Sequence, residues 1–188
     1  MKRIVVGVSG ASGVIYAFRM LDALSGQVES HLIISNASRT TVALETDFDI
    51  KKLESKATYV HEAANLAAPL SSGSFLTDGM VIIPCSIKSL SAIANSYNEN
   101  LLIRAADVTL KERRKLVLVV RETPLHTGHL KLMVKVSEIG ALILPPVPAF
   151  YHKPRTIDDV INQTIGKILD LFGITHNLFK RWEGPIGL

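Results

Sequence analysis

Three stretches of this sequence combine small residues, hydroxyls and cations in patterns that can hold an anion or move a proton. In Gly7-Val8-Ser9-Gly10-Ala11-Ser12-Gly13, small residues let backbone N–H groups approach a ligand and Ser12 adds a hydroxyl, although the same glycines would also suit a plain strand-to-helix turn. Pro84-Cys85-Ser86-Ile87-Lys88-Ser89 sets two hydroxyls and a cation where a helical pattern begins. That combination suits a phosphate, or equally an N-cap serine beside a solvated lysine. Arg121-Glu122-Thr123-Pro124 follows the most hydrophobic run, where charges are costly unless they are used or solvated. Arg104 and Lys111 lie seven residues apart and therefore share one helix face, two turns from each other. The run Lys111-Glu112-Arg113-Arg114-Lys115 fits the end of that helix, where positive charge is favourable.

Other chemistries find less support. A nicotinamide site wants G-x-G-x-x-G and an acid after the second strand, and here that strand ends Ile33-Ile34-Ser35-Asn36. Ser35 can donate a hydrogen bond there but cannot take a ribose hydroxyl pair as a carboxylate would. His126 and His129 are three apart with no third ligand of matching spacing, which leaves a metal site weakly supported. Cys85 is the only cysteine, so the chain has no internal disulfide; with no histidine beside it, Cys85 reads as a small core residue. The net charge of +4 is spread among acids and only 6% of residues are aromatic, a poor match to a nucleic-acid surface. Lys2 and Arg3 precede an apolar run too short for a signal peptide, and no stretch approaches the roughly 18 apolar residues of a membrane span. The expected compartment is the cytoplasm.

The elements that must position these groups follow from hydropathy. With 188 residues, 47% of them hydrophobic, the chain can bury a full core as one domain over 1–188. Apolar runs at 4–8, 31–34, 80–83, 116–120 and 141–144 predict strands covered on both faces. Between them the spacing predicts helices over 14–24, 38–45, 87–94, 101–114 and 129–139. A last helix carries Ile157, Val160, Ile161, Ile165, Ile168, Leu169 and Phe172 on one stripe, with Thr156 as cap and Gly173 as stop. The alternation predicts an α/β fold with a doubly wound parallel sheet in three layers. Two loops stand apart: 70–75, small and flexible, and 145–151, stiff with proline and aromatic.

Taken in order, Gly10-Ala11-Ser12-Gly13, Pro84-Cys85-Ser86-Ile87-Lys88, Arg104-Ala105-Ala106-Asp107, Leu110-Lys111-Glu112-Arg113-Arg114, Arg121-Glu122-Thr123-Pro124-Leu125 and Pro146-Val147-Pro148-Ala149-Phe150-Tyr151 resemble the UbiX-type flavin prenyltransferases nearly from end to end. The resemblance implies a flavodoxin-like or Rossmann-like fold and a homo-oligomer, a dodecamer in that family. It also implies transfer of the dimethylallyl group of dimethylallyl phosphate to N5 and C6 of reduced FMN, with phosphate released. The prenylated FMN then serves a UbiD-type decarboxylase, as in ubiquinone biosynthesis. Carried over by position, Gly10, Ala11, Ser12, Ser35, Ser86, Ile87, Lys88, Ser89 and Arg121 would contact FMN. Arg104, Lys111, Glu122, Tyr151 and Lys167 would surround the prenyl phosphate.

Cleaving an allylic C–O bond develops negative charge on phosphate, and these cations can meet it without a metal. Glu122 is the candidate for moving the proton lost from flavin on ring closure, and Ser12 for a hydrogen bond near the reacting nitrogen. Many relatives carry arginine where this chain has Lys167, which keeps the charge but loses the bidentate fork. Trp182 and the 145–150 loop could close the site of a neighbouring subunit. Two other readings stay open: a decarboxylase of the phosphopantothenoylcysteine type, for which no Met-Asn-x-x-Met stretch is found, and a non-catalytic FMN-binding subunit of a decarboxylase.

Overall fold

The computed structural model of the chain describes residues 1–47 and 49–184. It comprises two compact units, Met1–Pro145 and Pro146–Leu188. The first holds a six-stranded sheet of β1 (Lys2–Val8), β2 (Val28–Ile34), β3 (Tyr59–Glu62), β4 (Gly79–Cys85), β5 (Lys115–Val120) and β6 (Leu142–Ile143). All neighbours are parallel, in the order β3-β2-β1-β4-β5-β6. The sheet grows outward from β1 to β3, then restarts on the other side of β1 with β4. Between β1 and β4 the crossovers therefore diverge, and a crevice opens beyond the carboxyl ends of the strands.

Continuous apolar strands are the physical reason for three layers. Residues alternate across a strand, so Val5, Ile33, Met80, Ile82, Leu116 and Leu118 share one core with residues of α4 (Ile87–Ala94), α5 (Leu101–Lys111) and α6 (Thr127–Glu138). The alternate residues Ile4, Val6, Val8, Leu32, Ile34, Val81 and Val117 are equally buried on the opposite side. There α1 (Val14–Leu24) packs on β1, β2 and β4, and also meets α2 (Asn36–Glu45) and α3 (Ile50–Glu54). Two predicted helices match residue for residue, α1 and α4. The 101–114 prediction overruns, because α5 stops at Lys111, Arg113 turns left-handed with φ 57°, and β5 starts at Lys115. β3 and α3 went unpredicted. β3 is a short edge strand with Tyr59 and Val60 exposed, and it has no apolar run to announce it.

In the second unit α7 (Ile157–Phe172) starts and stops where the sequence indicates. Thr156 and Asp159 form a reciprocal capping box, and Gly173 ends the helix at φ 61°. The stripe holds for Ile161, Ile165, Ile168, Leu169 and Phe172 but not for Ile157, which is 81% exposed in the first turn. Gly166 has a job the sequence does not advertise. A Cβ there would lie 2.4 Å from Phe179 and 2.6 Å from His176, so the missing side chain lets the C-terminal segment lie against the helix.

Candidate functional site

A crevice of about 580 Å³ lies at the carboxyl ends of the strands. It is built from strand exits: Gly10 after β1, Ser35, Asn36 and Ala37 after β2, Ala63 and Ala64 after β3, Ser86 to Ser89 after β4, and Glu122 after β5. Glu99 and Asn100, just before α5, complete it. Two helix N-termini, those of α2 and α4, open on this space and give it a positive electrostatic bias.

Each predicted residue in the crevice has a local cause. Ser35 caps α2, accepting from the N–H of Ser38, and its Oγ lies 3.0 Å from the Ser38 hydroxyl. Ser86 caps α4 in the same way, accepting from the N–H of Ser89 at 3.2 Å. The Ser86 hydroxyl in turn donates to Ser89 Oγ at 3.2 Å, so capping and ligand binding are not exclusive at this helix start: the Ser89 hydroxyl keeps its own proton to donate. Lys88 is 80% exposed in its side chain and pairs loosely with Glu99 at 3.3 Å. Gly10 is a close-approach glycine: a Cβ there would sit 2.5 Å from the Cβ of Ala37. Only without a side chain do the first and second strand exits meet along one wall of the crevice.

Other predicted residues stand outside its lining. Gly13 takes φ 100° as the N-cap of α1 and has no capping side chain of its own. Ala11 and Ser12 belong to that turn. Ser12 hydrogen-bonds to Glu45, at the end of α2, whose carboxylate also accepts the Gly13 N–H at 2.8 Å. Desolvation alone would raise the Glu45 carboxyl. Hydrogen bonds from Ser12, Gly13 and Val14 and the nearby Arg121 charge outweigh it, so the group lies below its ordinary value and stays anionic. Glu45 is therefore a site residue that the sequence reading missed, as is Ser9. The buried Ser9 hydroxyl donates to the Pro84 carbonyl at 3.0 Å and accepts from the Ser86 N–H at 2.8 Å, which locks the β1 and β4 exits together. Position alone, at the strand end beside Gly10, was the only signal for it.

Arg104 and Lys111 do share a face of α5 but do not line the crevice. Arg104 faces a second cavity, of about 350 Å³, with Leu66, Ser71 and Asn98. Lys111 pairs with Glu112, whose carboxyl it holds below the usual range, and both lie over Gly73. The 70–75 loop, expected to be flexible, is instead gripped by arginines. Arg104 Nε donates to the Ser71 carbonyl at 3.1 Å, and Arg114 donates to the carbonyls of Gly73 and Phe75 at 2.6 and 2.9 Å.

Glu122 is exposed, with its carboxylate accepting the Thr123 N–H at 3.1 Å. Cys85 is fully buried, and burial pushes its thiol up to about 12, so it is an inert core group. In the second unit, Tyr151 accepts from Gln163 Nε2 at 3.4 Å and meets Trp182 edge-on, while Lys167 is exposed on α7. Among the described residues no group of three or more His, Cys, Asp or Glu side chains could hold a metal ion, and no helix is long and apolar enough to cross a membrane.

The crevice suits a phosphate-bearing ligand. Its lining offers serine hydroxyls, two helix N-termini and a lysine, and one wall is packed so closely that a Cβ on Gly10 would strike Ala37. Comparison with known proteins agrees. The Flavoprotein family model matches residues 1–171. The chain is 58% identical to flavin prenyltransferase UbiX of Escherichia coli K12 over 188 residues, covering 98% of this chain and all of the relative. Among solved structures it is similar to AnUbiX (PadA1) in complex with FMN and dimethylallyl pyrophosphate, at 48% identity and TM-score 0.96, over 97% of this chain and 98% of the other. It is also similar to a dodecameric FMN-dependent UbiX-like decarboxylase from Escherichia coli O157:H7, at 45% identity and TM-score 0.94, over 97% and 100% of the two chains.

Proposed function

The chain belongs to the UbiX flavin prenyltransferases, and from that membership we propose how its own residues carry out the reaction. It is a flavin prenyltransferase that uses reduced FMN and a dimethylallyl phosphate donor, and it works as a homo-oligomer. The observation that carries the assignment to this site is the crevice itself, where Gly10, Ser35, Ser86, Ile87, Lys88, Ser89 and Glu122 line one space at the switch point. The whole chain, 1–188, acts as one flavoprotein domain, and the product passes to a UbiD-type decarboxylase. Reduced FMN is kept available in a reducing compartment, which favours the cytoplasm.

Bound FMN supplies the electron-rich ring nitrogen and carbon that accept the prenyl group. The protein does the rest. Ser86 and Ser89, the α4 N-terminus and Lys88 hold the FMN phosphate, with Arg121 adding charge from the β5 exit. Ala11 and Ser12 pack beside the ring system. Glu45 fixes the Ser12 hydroxyl through the bond already described, so that hydroxyl is oriented before substrate arrives. Arg104 and Lys111 offset the charge that grows on the prenyl phosphate as the C–O bond breaks; in the second unit, taken by itself, Tyr151 and Lys167 are the hydroxyl and the cation proposed to bind such an anion. Arg104 and Lys111 lie outside the crevice lining of their own chain, and a neighbouring copy in the dodecamer supplies them. Glu122, carboxylate free on one side, accepts the proton lost on ring closure.

Anaerobic incubation with reduced FMN and dimethylallyl phosphate tests this. A flavin heavier by one prenyl unit, with a changed absorption spectrum, is expected by mass spectrometry. Recovery of unaltered FMN with both the monophosphate and the diphosphate donor would overturn the assignment, and product from only one of them identifies the donor.

A further inference from the structure

Arg104 is held at two of its three nitrogens before any substrate arrives. Nε donates to the Ser71 carbonyl at 3.1 Å and Nη1 to Asp107 Oδ2 at 3.1 Å. Asp107 lies one turn further along α5, and the same Oδ2 accepts Asn98 Nδ2 at 3.0 Å. Asn98 Oδ1 is buried and has no partner, so this amide is spent on Asp107 alone. Nη2 of Arg104 is left without a partner among the described residues, on a side chain that lines the 350 Å³ cavity.

We propose that Asp107, backed by Asn98, is a positioning residue for the prenyl phosphate: it fixes the guanidinium of Arg104 with one edge presented to the anion. The inference rests on the reading that Arg104 meets that phosphate. A free arginine samples many rotamers and must be ordered on binding, whereas a planar fork tied on two sides has little freedom left to lose. The carboxylate also sets the choice of edge. It occupies Nη1, so an incoming phosphate finds Nη2 and not the whole guanidinium. Asp107 makes no contact with the anion and acts only through Arg104.

The test is a double-mutant cycle on the intact protein, with anaerobic steady-state kinetics in dimethylallyl phosphate at saturating reduced FMN, and FMN binding measured in parallel. Asp107→Ala is expected to raise KM for dimethylallyl phosphate on the order of tenfold with a smaller change in kcat, and to leave FMN affinity within about twofold. In an Arg104→Ala background the same substitution should change KM no further. If Asp107→Ala fails to give FMN-binding protein, Asp107→Asn, of the same shape without the charge, carries the same expectation. An unchanged KM in the Asp107 variants beside a raised KM in Arg104→Ala would overturn the positioning role, as would an undiminished Asp107 effect in the Arg104→Ala background. An Arg104→Ala enzyme with normal KM would instead refute the phosphate role of Arg104, and the positioning role with it.

Discussion

Gly10→Ala is the most economical probe of the crevice, because the added methyl group meets a neighbour with nowhere to go. Its Cβ would stand 2.5 Å from Ala37 Cβ and 3.3 and 3.4 Å from the Ala37 carbonyl carbon and Cα. None of these atoms can be moved by a rotamer change. The β1 exit and the start of α2 must separate by about an ångström to restore ordinary van der Waals distance. Overpacking of this kind costs about 1–3 kcal/mol. For a chain of this length each kcal/mol lowers Tm by about 2–4 °C, so a drop of about 2–12 °C is expected by calorimetry. The same displacement moves the Ser35 end of the crevice, and FMN affinity should fall on the order of tenfold or more by fluorescence titration. Ala37→Gly in the same molecule removes the opposing methyl group and should restore most of both quantities. A Gly10→Ala protein with wild-type Tm and FMN affinity, or a double variant no better than the single, would refute the close-approach argument.

Glu122→Gln keeps the shape of the side chain and loses its basicity; FMN binding should persist while prenylation, followed by mass spectrometry, slows on the order of a hundredfold. A full rate would remove Glu122 from the chemistry. Glu45→Gln deprives Ser12 of its anionic acceptor and should lower kcat on the order of tenfold with FMN affinity reduced less, whereas equal losses in both would indicate a role in binding only. The pH dependence of stability has a group of its own. Burial, and secondarily the neighbouring His31, holds the His61 imidazole below its usual 6.5. The folded protein therefore takes up that proton less readily than the unfolded chain, so the stability is present above about pH 6.5 and declines as pH falls through the lowered value. His61→Gln should flatten that decline in denaturant titrations at successive pH values, and an unchanged slope would exclude His61 as its source.

Much of this molecule is legible from local pattern. Strands buried on both faces must be continuously apolar, and β1, β2, β4 and β5 announce themselves that way; the apolar run at 141–144 also marks β6, but Leu142 is exposed there at the sheet edge, so that strand is not covered on both faces as expected. Helices α1 and α4 are bounded by glycine and serine signals that act within a few residues, and α7 is closed by a capping box and a left-handed glycine. The chemistry-bearing residues at strand exits were visible for the same reason, since the fold puts strand exits where ligands bind. β3 was not, because a short exposed edge strand owes its existence to pairing with β2 and not to its own side chains.

The crevice was settled differently. Glu45, at the far end of α2, reaches the first turn only once β2 lies beside β1. Ser9 ties to Pro84 and Ser86 only because β4 takes the place on β1's other side. The 70–75 loop, rich in serine and glycine, reads as flexible until Arg104 and Arg114 close on its carbonyls. Residue types and local spacing determined which elements form and which groups could bind an anion. Contacts between residues far apart in the chain decided which of those groups share a space, because hydrogen bonds and close packing act over a few ångströms and carry no trace in local sequence.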